Sequence, residues 1–255
     1  MVVGIIAEYN LFHNGHKLQI DYARSTLGAD YVVVALSPDF TQRGEITILS
    51  KYERTRIALT LGVDLVVQIP VNSATDSAFG YAHGGIKVLD SLGIVDTLLF
   101  SCENDDTTTL SQITDIELDE NDIYTNTLNT SLRCGLSFPK ARENAIIEAI
   151  NASSIDISTS YIQEILSKPN NILAIEYIKA LKESNSNMSP VCMKRVGASY
   201  NDKVIDGNIA SASAIRSAIM RGEIDSIENV VPSPAYQSYK KIYNNNEFLY
   251  PDDVS

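Results

Sequence analysis

The 255-residue sequence predicts an α/β fold, a Rossmann-like doubly wound parallel sheet that is interrupted by a helical insertion. Three observations predict it. Runs of Val, Ile and Leu alternate with helical segments through the first hundred residues, which is typical of a parallel sheet covered on both faces. The strand runs then stop, and Asn, Thr, Ser and Asp dominate the next sixty residues. A further strand and helix are predicted near residues 188–221. The helices between the predicted strands provide the crossover connections that parallel strands need, so this strand would complete the sheet.

Residues 1–104 are predicted to form the first part of the core, with four strands and three helices. Val2–Ala7 is a buried-type strand. Ser50 as N-cap and Glu53 as the residue that reaches back form a predicted capping box, which opens a helix to about Leu61. The other predicted elements are helices at 16–27 and 78–92 and strands at 30–36, 63–69 and 95–100.

The rest of the chain divides into three predicted parts. Residues 105–168 are interpreted as a helical insertion with helices near 110–118, 141–151 and 161–166. Residues 169–230 would complete the core with an amphipathic helix over 171–182, a strand over 188–194 and a helix over 211–221. Residues 231–255 are either a tail or the start of a C-terminal region.

Composition limits the classes of partner. A formal net charge of -12 gives no support to nucleic-acid binding, because such proteins usually present a basic face. No apolar run approaches the roughly 18 residues that span a bilayer, so no membrane partner is expected. The negative charge likewise gives no reason to expect DNA as a partner. Cys102, Cys134 and Cys192 match no spacing motif, and reduced cysteines in a cytoplasmic protein are expected.

The residues that point to chemistry follow the first strand directly. Ligands of open α/β sheets bind at the carboxyl ends of the strands, where His13, Gly15 and His16 are expected. Glycine lets a ligand approach the backbone, and a helix N-terminus favours phosphate. Two imidazoles three residues apart can donate hydrogen bonds while charge develops at an α-phosphate. A zinc site is the weaker alternative, since no Cys/His pair nearby completes it, and no metal ligands are predicted.

The last predicted core helix offers further phosphate donors. Ser211 can cap this helix, which leaves backbone amides and the Ser213 hydroxyl to meet phosphates. Arg216 lies one turn further on, where its guanidinium could neutralise a leaving pyrophosphate.

Three other cations are candidates for the same edge of the sheet. Arg195 follows an apolar run, and an arginine at a strand end more often serves a ligand than a core. Arg43 and Lys51 follow the second strand and could bind substrate, although a solvated turn is an equally good interpretation of Arg43. Lys51 occupies the first position of a helix, where a cation is mildly unfavourable, so a compensating anion is expected.

Seven blocks occur in one order along nearly the whole chain, and together they resemble the tRNA(Met) cytidine acetate ligase family of the HxGH nucleotidyltransferase superfamily. The first block contains the motif His-Asn-Gly-His at 13–16. The blocks are 4–16, 39–45, Lys51 with Arg54, 62–70, 169–177, 194–200 and 209–216.

The resemblance implies condensation of ATP with acetate to acetyl-AMP, with Mg²⁺ as the expected metal. It further implies transfer of the acetyl group to N4 of the wobble cytidine of elongator tRNA(Met). His13, His16 and Arg216 would be catalytic, and Arg43 and Lys51 would bind substrate. The residues implied to bind the nucleotide are Ile5, Ile6, Ala7, Glu8, Tyr9, Asn10, Gly15, His16, Ser101, Asn170, Asn171, Arg195, Ser211 and Ser213.

The sequence departs from the family pattern in two places. Leu11 replaces a proline, and Ser101 replaces the glycine of Phe-Gly-Ser-Glu, where a side chain could crowd the nucleotide. Family members also usually continue into a further C-terminal region. Two other functions therefore stay open, an adenylyltransferase acting on a phosphorylated small molecule and a nucleotide-binding module without catalysis.

Overall fold

The structure, a computed structural model, describes residues 1–119, 121–195 and 207–249. Five parallel strands form one sheet in the order β3-β2-β1-β4-β5, which confirms the predicted fold class. The strands are β1 (Val2–Ala7), β2 (Tyr31–Leu36), β3 (Leu65–Gln68), β4 (Thr97–Cys102) and β5 (Ser189–Lys194).

Helices connect the strands and cover both faces of the sheet. Three helices, α3, α6 and α11, were not predicted from the sequence. Of these, α6 begins after Asn121, whose side chain accepts a hydrogen bond from the Tyr124 amide over 2.9 Å. The helices are α1 (Asn14–Ser25), α2 (Lys51–Thr60), α3 (Val71–Ala74), α4 (Ala78–Ser91), α5 (Thr107–Asp119), α6 (Asp122–Arg133), α7 (Phe138–Asn151), α8 (Thr159–Leu166), α9 (Pro169–Glu183), α10 (Ala212–Met220) and α11 (Ser233–Asn244), with a 3-10 turn at Ile224–Ile227.

Two apolar cores lie on opposite faces of the sheet. Ile20 of α1, Ile215 of α10 and Tyr239 of α11 belong to the first core. Ile86 of α4 and Ile175 of α9 belong to the second core, together with side chains from α5, α7 and α8. The stretch after residue 231, which the sequence left open between a tail and a further region, therefore contributes a helix to the first core.

The cysteine prediction is wrong for two of the three residues. Cys102 of β4 and Cys192 of β5 are joined in a disulfide with a Cα–Cα distance of 6.2 Å, whereas Cys134 is free and exposed. The two cysteines are 90 residues apart in sequence, and only the pairing of β4 with β5 brings them together.

The predicted capping box of α2 is half present. Ser50 accepts a hydrogen bond from the Glu53 amide over 3.4 Å. The Glu53 carboxylate does not reach back, because it pairs with Arg56 one turn further along the exposed face. Among the described helices, none combines the length and the apolar character that crossing a membrane requires.

Candidate active site

A cavity of about 420 Å³ lies at the carboxyl ends of β1, β4 and β5. Ala7, Ser101 and Arg195 reach it from these three strand ends. The N-terminal ends of α1, α9 and α10 complete the wall, so the cavity occupies the position at which open α/β sheets bind their ligands.

The structure brings together most of the residues that the sequence singled out. Three lie outside the cavity wall: Ile5 is buried in the first core, and Lys51 and Asn171 have protein partners described below. The predicted residues that line the wall are Ile6, Ala7, Glu8, Tyr9, Asn10, His13, Gly15, His16, Arg43, Ser101, Asn170, Arg195, Ser211, Ser213 and Arg216.

His13 and His16 hold each other in place at the start of α1. The Gly15 amide donates to Nδ1 of His13 over 3.0 Å, and the His13 amide donates to Nδ1 of His16 over 3.3 Å. These bonds form a reciprocal capping box in which two imidazoles take the usual roles of a hydroxyl and a carboxylate. The two rings stack with a centroid distance of 3.7 Å.

This arrangement defines the protonation state of both rings. Burial, with the nearby charge of Arg195, lowers the pKa of His13 to about 3. Burial, His13 and Arg195 together lower the pKa of His16 well below its ordinary value. Each ring is therefore neutral at pH 7, and since each Nδ1 accepts a hydrogen bond, the proton of each ring is assigned to Nε2. Both histidines can thus act as neutral Nε2–H donors.

Gly15 makes room for His13. A Cβ atom at position 15 would lie 2.9 Å from Cε1 and 3.0 Å from Nδ1 of the His13 ring. The amides of Asn14 and Gly15 already donate to the Val230 carbonyl and to His13. The first two amides of α1 are therefore already used, and the imidazoles are the hydrogen-bond donors that the start of this helix can offer a phosphate.

Asn14, the variable residue of the motif, connects the turn at residues 13–16 to the C-terminal part of the chain by hydrogen bonds. Its side-chain nitrogen donates to the carbonyl oxygens of Asn208 over 2.8 Å and Asn229 over 2.9 Å. Sequence reasoning missed this role, because both acceptors are backbone atoms about 200 residues away.

Arg54 organises the loops behind the cavity and was also missed as a site residue. Its guanidinium is almost fully buried and donates to the carbonyl oxygens of Glu8 (2.6 Å), Ser37 (3.0 Å), Leu49 (3.1 Å) and Pro38. Burial lowers the pKa of Arg54 to about 10, which still leaves it charged at neutral pH. One cation thus ties the end of β1 to the loop that follows β2.

The segment that follows β2, which contains Gln42 and Arg43, is hydrogen-bonded to Glu8 at the end of β1. The Gln42 amide donates to Oε1 of Glu8 over 2.8 Å, and its side chain donates to the Asp76 carbonyl. Burial raises the pKa of Glu8, although the Gln42 hydrogen bond opposes this shift. Arg43 follows directly and lines the cavity.

Lys51 lies apart from the cavity. Its ammonium donates to Oε1 of Gln68 over 2.7 Å, and its backbone amide donates to Oδ1 of Asp39 over 2.7 Å. Asp39 therefore supplies the anion that was expected at the start of α2.

Glu103 and Asn171 lock the start of α9 to the end of β4. The Glu103 carboxylate accepts hydrogen bonds from the Asn170 side chain (2.7 Å) and from the Asn171 amide (3.0 Å). In return, Oδ1 of Asn171 accepts the amides of Glu103 (2.9 Å) and Asn104 (3.3 Å). Asn171 is fully buried and serves these contacts, so of the two asparagines only Asn170 faces the cavity.

Three arginines surround the cavity, although the chain as a whole is acidic. Ser211 caps α10 by accepting the Ala214 amide over 3.1 Å, and its hydroxyl lies 2.9 Å from that of Ser213. Arg216 of α10 donates to the Asn10 carbonyl. Among the described residues, Arg216, Arg43 and Arg195 line the wall with two glutamates, Glu8 and Glu45, so this part of the wall carries more positive than negative side chains.

Comparisons with known proteins match nearly the whole chain. The family model described as HIGH Nucleotidyl Transferase matches residues 1–255. The chain is 41% identical over 231 residues to the tRNA(Met) cytidine acetate ligase of Thermoanaerobacter sp. (strain X514), covering 91% of this chain and 56% of that protein. It is 38% identical over 240 residues to the protein of the same name from Clostridium perfringens (strain ATCC 13124), covering 94% of this chain and 60% of the relative.

Solved structures show the same relationship. The apo crystal structure of Thermotoga maritima TmcAL superposes with a TM-score of 0.92 at 33% identity, covering 97% of this chain and 58% of the other. The crystal structure of the same protein bound with alpha-thio ATP superposes with a TM-score of 0.89. The family resemblance is thereby confirmed, and the chain spans little more than half the length of the curated relatives it matches.

Proposed function

The chain belongs to the HIGH nucleotidyl transferase family, and from this premise we propose that its cavity binds ATP and activates acetate as acetyl-AMP. The observation that carries the proposal is the stacked pair of buried imidazoles, His13 and His16, at the end of β1, with each Nδ1 already occupied by a backbone amide. A structure of a relative bound with alpha-thio ATP supports the choice of nucleotide.

The proposed chemistry needs no protein nucleophile. An acetate oxygen attacks the α-phosphorus of ATP, a new P–O bond forms, and the bond to the β-phosphate bridging oxygen breaks. Pyrophosphate leaves with the electron pair of that bond. Negative charge grows on the α-phosphate oxygens, where the two Nε2–H groups would donate, and on the leaving group, which Arg216 and the start of α10 would neutralise.

The wall fits Mg²⁺ that arrives with ATP. Magnesium usually keeps several waters and takes one or two carboxylates together with phosphate oxygens. Glu8 and Glu45 are the carboxylates that line the cavity, and no group of three or more metal-binding side chains occurs within the described ranges. When bound, the ion would supply charge neutralisation at the phosphates.

The second half of the proposed reaction is transfer to RNA. We propose that N4 of the wobble cytidine of elongator tRNA(Met) attacks the acetyl carbonyl, so that an amide forms and AMP leaves. The name of the relatives, tRNA(Met) cytidine acetate ligase, supports this step, as do the arginines that line the cavity. The role would place the protein in the cytoplasm.

A pyrophosphate exchange assay tests the first half-reaction. The purified chain, ATP and labelled pyrophosphate are incubated with and without acetate, and label in ATP is measured. Exchange that depends on acetate is expected. Exchange that ignores acetate but follows a phosphorylated small molecule would show an adenylyltransferase of another kind, and ATP binding without exchange would show a module without catalysis.

Labelled acetate separates the two steps. In the presence of ATP and elongator tRNA(Met), label is expected in acetyl-AMP first and then in the RNA. Accumulation of labelled acetyl-AMP with unlabelled RNA would contradict the transfer step alone.

A further inference from the structure

A short hairpin after β2 forms one side of the cavity. Phe40 and Ile46 pair as an isolated antiparallel bridge, and residues 41–45 between them form the tip of the hairpin. Residues 43–45 are exposed to solvent, so the tip separates this side of the cavity from the outside. The tip residues that line the cavity are Thr41, Gln42, Arg43 and Glu45.

The base of the hairpin is fixed to the core. The Thr47 amide donates to the Asp39 carbonyl over 2.9 Å, and the Ile48 amide donates to Oδ1 of Asn10 over 3.0 Å. The buried guanidinium of Arg54 binds one carbonyl oxygen before the hairpin and one after it. Because these contacts hold both strands of the base, a motion of the hairpin must take place beyond them.

The tip is held together by its own hydrogen bonds. The Thr41 amide donates to the Glu45 carbonyl over 2.8 Å, and the Gly44 amide donates to the Thr41 carbonyl over 2.9 Å. Gly44 has a φ of 76°, in the left-handed region that glycine adopts without strain. Since these bonds join residues of the tip to each other, the tip can move as one body and keep them.

Gln42 attaches the tip to two other parts of the wall. Its backbone amide donates to Oε1 of Glu8 over 2.8 Å, and its side-chain nitrogen donates to the Asp76 carbonyl over 3.0 Å. Asp76 lies two residues before α4, whose first residue, Ala78, lines the cavity. The charge of Arg43 adds an attraction to Glu8. One residue of the tip thus connects the hairpin to the end of β1 and to the segment before α4.

We propose that residues 40–46 form a flap that opens and closes this side of the cavity, and that Gln42 is the positioning residue that holds it closed. The inference rests on the proposed function for the identity of the ligand, ATP, whose release the flap would control. Loops that close over a site pivot at a few positions that absorb the change in backbone angles. Opening breaks the two Gln42 hydrogen bonds, whereas the base and the tip keep theirs.

Hydrogen exchange of single amides, measured by NMR on the ligand-free protein, tests the flap directly. Gln42→Ala removes the bond to Asp76. A net hydrogen bond corresponds to about fivefold in an equilibrium, so the amide at position 42 should exchange about fivefold faster after correction for its intrinsic rate. The Gly44 amide should keep its wild-type rate, because its acceptor moves with it. Gln163→Ala, which removes an exposed glutamine bond to Glu143, is the matched control and should change neither rate.

The two amides distinguish a moving flap from a structural role of Gln42. Exchange that rises equally at positions 42 and 44 would show local unfolding of the hairpin and overturn the inference. Unchanged exchange at position 42 would overturn it as well, because the bond to Asp76 would then not hold the flap.

Release of bound ATP provides the second measurement. Stopped-flow displacement should show a dissociation rate about fivefold higher in Gln42→Ala than in the wild type, with Gln163→Ala unchanged. Faster exchange at position 42 with an unchanged dissociation rate would show that the tip opens without controlling the cavity, and this would overturn the inference. If the wild type binds no ATP, the proposed function fails, whereas the exchange rates still decide whether the hairpin opens.

Discussion

Tyr239 of the last helix donates its phenolic hydrogen to the carbonyl oxygen of Phe12 over 2.9 Å, although 227 residues separate them. Tyr239 is fully buried in the first core. Its hydroxyl therefore fixes the backbone immediately before His13, and α11 supports the turn that carries His13 and His16 as well as the core.

Tyr239→Phe tests this support. Loss of one buried hydrogen bond should cost about 1 kcal/mol of unfolding free energy and loosen the turn, so kcat for exchange should fall several-fold. Urea unfolding and exchange kinetics measure both effects. Tyr236→Phe is the matched control. The Tyr236 hydroxyl donates to Oδ1 of Asp225 with a distance of 2.9 Å, and this bond does not involve the turn. An equal loss of kcat in both variants would argue against a specific role for the Phe12 contact.

His13→Ala or His16→Ala should nearly abolish adenylation while ATP binding falls much less. Donors aimed at developing charge typically account for about 10²–10³ in kcat, whereas nucleotide affinity draws on the whole wall. Exchange rates and calorimetric ATP titration separate the two effects. His83→Ala is the control, since His83 pairs with Glu183 over 2.8 Å outside the cavity wall. Equal losses of binding and turnover would count against a transition-state role.

The depressed pKa of His13 makes stability depend on pH. The folded protein binds a proton at this site only near pH 3, whereas the unfolded chain binds it near 6.5. Between these values the unfolded state holds more protons, so stability is full above about pH 6.5 and is lost as pH falls. His13→Asn keeps a capping side chain and should reduce this slope by up to about 1.4 kcal/mol per pH unit. Urea unfolding from pH 4 to pH 7 measures the slope, and parallel profiles for the two proteins would contradict the assignment.

Glu103→Gln should weaken ATP binding by releasing Asn170. The glutamine side chain has one oxygen that accepts and one NH2 group that donates. It can therefore keep only one of the two hydrogen bonds that Glu103 accepts, from the Asn170 side chain (2.7 Å) or from the Asn171 amide (3.0 Å). We expect a Kd for ATP raised about three- to tenfold, in line with about 1 kcal/mol per hydrogen bond. Glu164→Gln is the control, because Glu164 contacts Asn104 in the same loop without touching α9's first residues. Equal affinities in the two variants would contradict the proposed role of Glu103 in holding Asn170.

Local sequence patterns predicted the helix caps correctly but missed a helix of the insertion. Ser50 and Ser211 cap their helices as predicted, because a cap depends on residues within one turn. Helix α6 was missed, since its Asn- and Thr-rich sequence has weak helix propensity and its stability comes from packing against α7.

The sequence by itself determined the parallel α/β sheet, the position of His13 and His16 at the carboxyl ends of its strands, and the family, because strand alternation and motif spacing are local properties. Only the tertiary structure decided how the site is held. The Cys102–Cys192 disulfide, the buried guanidinium of Arg54 and the Tyr239–Phe12 bond each join segments that are distant in sequence. Their partners are mostly backbone atoms, which carry no signature in the sequence, so folding alone brings them together.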